Sequence, residues 1–148
     1  MSTPTPPTHP LCIIGESDPF LAHLLQRFAE KSGYETQVAQ TGEDVLELAR
    51  QLLPALLILE PELPGKVRGW EVVRSLEGVN PPSRIPILIC SWMNKAEAQT
   101  LVGQISAHLQ KPELRYEDFT EALKSVEKKR GGRRKRAGTA PSHKAATG

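Results

Sequence analysis

The sequence predicts an α/β domain built on a doubly wound, five-stranded parallel sheet with five helices, and three observations carry that expectation. Leu11 to Ile14, Ala55 to Leu59 and Ile85 to Cys90 are short, almost unbroken apolar runs, which is how strands read when both faces of their sheet are covered. Segments with apolar residues at helical spacing lie between these runs. Strand and helix patterns then alternate along the chain, which implies right-handed crossovers and helices on both faces of a parallel sheet.

Pro4, Pro6, Pro7 and Pro10 interrupt the first ten residues, so a disordered, proline-rich N-terminus is expected over 1–10 and a single domain over 11–127. Leu11 to Ile14 is the first strand, ended by Gly15 and the polar Glu16, Ser17 and Asp18. Asp18 followed by Pro19 reads as an N-cap with a first-turn proline, and Leu21, Leu24, Leu25 and Phe28 recur at helical spacing until Gly33. Tyr34 to Ala39 alternates weakly, as a half-exposed edge strand does. Thr41 with Asp44 resembles a capping pair before a second helix bearing Val45, Leu48, Ala49 and Leu52, which Pro54 closes. After Ala55 to Leu59 comes a polar loop, Glu60 to Arg68, then Gly69 and a third helix with Val72, Val73 and Leu76. Pro81, Pro82 and Ser83 connect it to the strand Ile85 to Cys90. Ala98, Leu101, Val102 and Ile105 suit a short fourth helix, Ala107 to Leu109 a last strand, and Phe119, Ala122, Leu123 and Val126 one face of a fifth helix.

At 148 residues the chain has room for one ordinary core, and a second would leave each half marginal. No apolar run approaches the roughly 18 residues of a membrane span, and the N-terminus has neither the basic start nor the apolar stretch of a signal peptide. Cys12 and Cys90 sit in apolar segments, where a thiol behaves as a small buried hydrophobe, so no disulfide and a cytoplasmic location are expected. The formal charge of +2 hides a separation: eight of nineteen basic residues and none of seventeen acidic ones lie from Lys128 onward, which leaves residues 1–127 at −6.

In a sheet of this kind the loops at the carboxyl ends of the strands gather on one edge, where sites form. Those loops hold Glu16, Ser17 and Asp18 after strand one, Glu60 after strand three, Ser91 after strand four and Lys111 after strand five. Four motifs in this order resemble the receiver domains of two-component response regulators over about residues 11 to 127. Ile13-Ile14-Gly15-Glu16-Ser17-Asp18-Pro19 looks like the family's acidic pair, and Leu57-Ile58-Leu59-Glu60-Pro61-Glu62-Leu63-Pro64-Gly65 like its phosphoacceptor segment. Ile85-Pro86-Ile87-Leu88-Ile89-Cys90-Ser91 looks like strand four with its switch hydroxyl, and Lys111-Pro112 like the family's lysine and proline. The resemblance implies the flavodoxin-like (CheY-like) strand order 2-1-3-4-5.

In that family an aspartate takes a phosphoryl group while an acidic pair holds Mg²⁺, which neutralises charge on the transferring oxygens. Here the acceptor position is Glu60, whose extra methylene displaces its carboxylate from the in-line geometry of transfer. The metal pair becomes Glu16 and Ser17, so one ligand charge is gone, and Asp18 is better placed to cap the first helix. No metal or other cofactor, no catalytic residue and no enzymatic activity are therefore expected. Ser91 and Lys111 match the phosphate-reading pair, and Lys111 is positioned to pair with Glu60. His108 stands where the family carries an aromatic switch residue. The Pro64 to Gly69 loop is one residue longer than the common pattern, with Lys66 and Arg68 offering local neutralisation or simply solvated charge. Trp92 would cover the pocket or present an interaction surface, whereas Trp70 reads as core.

Lys128, Lys129, Arg130, Arg133, Arg134, Lys135 and Arg136 crowd into nine residues, so 128–148 reads as a disordered basic tail. Such a segment binds DNA, RNA or another anionic surface, or folds back on the acidic body; no aromatic residue interleaves it for base stacking. The leading expectation is a stand-alone receiver-like signalling protein without phosphorylation or Mg²⁺ binding, which acts by contact with protein partners. The surface of helix four, strand five and helix five is the expected contact and homodimer face. The alternatives are a nucleic-acid-associated regulator acting through the tail, or a receiver that still accepts phosphate.

Overall fold

The computed structural model describes residues 9–77, 85–103, 105 and 107–127. The expected N-terminal extension over 1–8, the Pro81-Pro82-Ser83 connection and the basic tail fall outside the described residues. Five strands, β1 (Leu11–Gly15), β2 (Glu35–Ala39), β3 (Leu56–Leu59), β4 (Ile87–Ser91) and β5 (Ala107–Gln110), pair in parallel in the order β2-β1-β3-β4-β5. The helices are α1 (Pro19–Lys31), α2 (Gly42–Leu52), α3 (Gly69–Glu77), α4 (Lys95–Val102) and α5 over 116–127.

Alternation along the strands sends successive side chains to opposite faces and builds two cores. Cys12, Ile14, Leu56, Ile58, Leu88 and Cys90 face α1 and α5, where they meet Leu21, Leu25, Phe119 and Leu123. Ile13, Leu57, Leu59 and Ile89 face α2, α3 and α4, where they meet Val45, Val72, Leu76 and Ala98. The central strands are buried almost throughout and apolar up to Ser91 at the end of β4, because both of their faces are covered. The two edge strands alternate instead, β2 between exposed and half-buried residues and β5 between buried Ala107 and Leu109 and the less covered His108 and Gln110.

Local chemistry fixes the element ends. Asp18 Oδ1 accepts from Phe20 N at 2.9 Å and Leu21 N at 3.2 Å, the cap its sequence position predicts. Thr41 Oγ1 accepts from Asp44 N at 3.3 Å. The second helix stops at Leu52, ahead of Pro54, because Leu53 takes a left-handed conformation (φ 48°) and its N–H returns to Ala49 O. A non-glycine residue there costs roughly 1–2 kcal/mol. β4 begins at Ile87 rather than Ile85: Pro86 has no N–H for the ladder, although its carbonyl accepts from Leu57 N at 3.0 Å. α4 ends at Val102 with Gly103 at φ 91°, so Ile105 is buried in the core from outside the helix.

Phe119 is fully buried and its ring centroid lies 5.6 Å from that of Phe28, which joins α5 to α1. Phe119→Ala should therefore cost about 3–5 kcal/mol. Urea unfolding should show a lower midpoint with an unchanged slope.

Candidate functional site

The parallel sheet delivers the ends of β1, β3, β4 and β5 to one edge, and three charged side chains converge there in burial. Glu16 is 2% exposed, Glu60 5% and Lys111 4%. The Lys111 ammonium lies 2.6 Å from Glu16 Oε1 and 2.6 Å from Glu60 Oε1. It donates a hydrogen bond to Glu60, while its contact with Glu16 is an ion pair. The second oxygen of each carboxylate takes a backbone N–H two residues further on: Asp18 N to Glu16 Oε2 at 3.0 Å, and Glu62 N to Glu60 Oε2 at 2.8 Å. Each carboxylate thus lies between an ammonium and a main-chain donor. Burial alone would pull the Lys111 ammonium down in pKa, but the bonds and charges of Glu16 and Glu60 outweigh it and hold it above 10.5.

Ser17 and Asp18, expected beside Glu16 in the acidic pocket, are both exposed. Asp18 contributes its N–H to the pocket, and its carboxylate is engaged in capping α1. Ser91 is fully buried, but its hydroxyl is satisfied within its own turn: Oγ accepts from Met93 N at 2.8 Å and donates to Met93 O at 3.4 Å. His108 is half-buried with Nε2 unpartnered among the described residues. Its imidazole is shifted below 6.5, first because burial disfavours the cation; the polar Met93 backbone opposes this, and the weaker Lys95 charge adds to it. Met93 thereby sits between Ser91 and His108. Nothing in the sequence marks that position, because it acts through its main chain.

Trp92 remains 55% exposed, and its ring centroid lies 5.8 Å from Lys111 Nζ, so one residue both roofs the ammonium and faces solvent. Trp70 packs partly buried against the core, with the Arg74 guanidinium 5.0 Å from its ring. In the loop after β3, Lys66 and Arg68 are exposed. The loop is tied to α2 instead by Val67 N donating to Glu43 Oε1 at 3.2 Å, and Glu43 is held below its ordinary value by its own and the Val67 N–H groups. The buried thiols of Cys12 and Cys90 are raised by desolvation, Cys90 to about 12.

The family model of the response regulator receiver domain matches residues 12–124. The chain belongs to this family. A curated relative, the polar-differentiation response regulator DivK of Brucella anthropi, is 30% identical over 115 residues, covering 76% of this chain and 92% of that protein. The same regulator of Brucella ovis matches equally, at 30% over 115 residues. Among solved structures, a response regulator from Chloroflexus aurantiacus aligns with a TM-score of 0.72 at 22% identity, covering 80% of this chain and 98% of that one. The receiver domain of the sensor histidine kinase PA1611 from Pseudomonas aeruginosa, described with magnesium in its active-site cleft, aligns at 0.68 and 15% identity over 79% of this chain and 96% of its own. The chain is therefore a receiver domain of two-component signalling, and no described helix is long and apolar enough to cross a membrane.

Lys111→Met leaves two carboxylates buried without their cation and should cost about 3–5 kcal/mol in chemical denaturation. The sign with pH follows from the raised lysine. Its folded pKa exceeds its unfolded one, so its contribution is complete below about 10.4 and fades as pH rises through the folded value. Wild type should lose stability along that alkaline limb, and Lys111→Met should lack this component. His108 runs the other way: its lowered pKa means stability falls as pH drops below 6.5. An NMR titration of the His108 ring should give a midpoint under 6.5.

Proposed function

We propose that this receiver signals by protein-protein contact and has given up phosphoryl transfer and Mg²⁺ binding. One observation carries the reading: the Lys111 ammonium lies 2.6 Å from both Glu16 and Glu60, where the family's chemistry calls for a divalent cation between an acidic pair and an acceptor aspartate. A hard cation such as Mg²⁺ needs oxygen ligands with free lone pairs in near-octahedral array. Here each carboxylate has one oxygen on the ammonium and the other on a backbone N–H, and the second pair position is the exposed, uncharged Ser17. The residues fit the metal poorly. Either oxygen of Glu60 that could attack a phosphoryl donor is already held, Oε1 by Lys111 and Oε2 by the Glu62 N–H, and the longer arm sets the carboxylate off the line of attack.

The same ion pair joins the loops after β1, β3 and β5 without any ligand, so the reading has the domain held in one arrangement and acting as a binding module in the cytoplasm. Its pocket retains the family's lysine as an internal counter-ion.

Incubation with acetyl phosphate and Mg²⁺ followed by intact-mass measurement should give no phosphoryl adduct. The double substitution Glu60→Asp with Ser17→Asp should gain one, because it restores both acceptor and ligand. A phosphorylated wild-type chain would overturn the proposal.

A further inference from the structure

We propose that the basic segment Arg133 to Arg136 turns back at Gly131 and Gly132 and docks in an acidic groove between β5 and α5, covering that face in the free protein. The groove, about 720 Å³, runs from the end of β5 along α5 and carries the carboxylates of Glu113, Asp118 and Glu121, with Ser125 at its far end. Of the two lysines that line it, Lys111 is engaged by Glu16 and Glu60, which leaves the ammonium of Lys95 against three carboxylates. Asp118 makes an exposed contact with Arg115 at 3.5 Å, and Glu113 and Glu121 form no ion pair with any described residue. The groove therefore holds uncompensated negative charge in a concave setting, where the field is strengthened.

Charge, length and connectivity select the occupant. The chain leaves the described structure at Glu127, whose carboxylate is anchored by the Tyr34 hydroxyl at 2.9 Å. From there, Lys128 to Gly132 spans at most about 17 Å, and its two glycines accept the φ values that a reversal needs. Ser125 back to Asp118 covers about 10 Å of helix, and four residues from Arg133 can extend about 13 Å. Four cations thus reach the carboxylates of Asp118 and Glu121 in register with the groove. The groove beside α2, with Asp44 and Glu47, offers one carboxylate fewer and lies on the other face of the sheet. His108 lines the β5–α5 groove too, so a covered face includes the half-buried switch position. The contact does not depend on whether Glu60 can be phosphorylated.

The test uses the full chain with Ala137→Cys carrying a nitroxide label. Cys12 and Cys90 are buried and their thiols raised in pKa, so the new thiol is labelled selectively. At low salt the label should selectively broaden the amide signals of Gln110, Glu121 and Ser125. The effect should vanish near 1 M salt, where the screening length is about 3 Å, and in the surface variant Asp118→Lys with Glu121→Lys. Broadening centred on Asp44 and Glu47, or none above that of the variant, would overturn the proposal. So would equal broadening of an isotope-labelled copy mixed with a spin-labelled one, since the occupant would then be a second molecule.

Discussion

The ammonium of Lys111, held at 2.6 Å from two buried glutamates, is the constraint on which the site depends. Burying three charges is costly, and the arrangement survives because every carboxylate oxygen has a positive or N–H partner. The strand order makes the contact structural as well as electrostatic. β5 lies two places from β3 and three from β1, so no backbone ladder connects these ends directly. Lys111 reaches over the end of β4 to join them. Ser91, at that end of β4, has its hydroxyl directed into its own turn and leaves the space to the lysine.

Close backbone packing holds Glu60 in place for that contact. A Cβ on Gly69 would fall 2.1 Å from Glu60 O, and one on Gly42 would fall 1.8 Å from Val67 O. The loop after β3 is thus pressed between the start of α3 and the start of α2, with Gly69 N bonded to Leu63 O and Gly42 N to Pro64 O. Further along the loop, Glu43 Oε1 receives Val67 N, away from the acidic cluster.

The elements were legible because their signals are local: wholly apolar runs for covered strands, Asp18-Pro19 for the start of α1, alternation for the edge strand. The Lys111–Glu60 pair was legible from charge and topology together. The equal share of Glu16 in that pair was not, since its position after β1 suggested a metal ligand, and only coordinates show the ammonium within reach of both. Asp18 and Glu62 enter through their N–H groups and Met93 through its main chain, which leaves no mark on residue type. The early end of α4 was hidden because Ile105 continues the helical spacing of its buried face, yet is buried from the segment beyond Gly103.

In receivers that take phosphate, a lysine and a Ser or Thr hydroxyl are the groups that bind the phosphoryl group. In this chain both are already committed, Lys111 to Glu16 and Glu60, Ser91 to Met93. On the proposed reading a signal has to enter elsewhere, and the His108 side of β5 is, with the exposed Trp92, a place where the site meets a surface. Met93 O accepts from Ser91 Oγ, the Met93 backbone acts on the His108 imidazole, and His108 lines the groove against α5. Occupancy of that groove by the chain's own cations, or by a partner that displaces them, would alter the environment of His108 while the ion pair beneath stays closed. On that reading the covalent input of the family would be exchanged for a competitive one, in which the face that delivers output would also receive the signal.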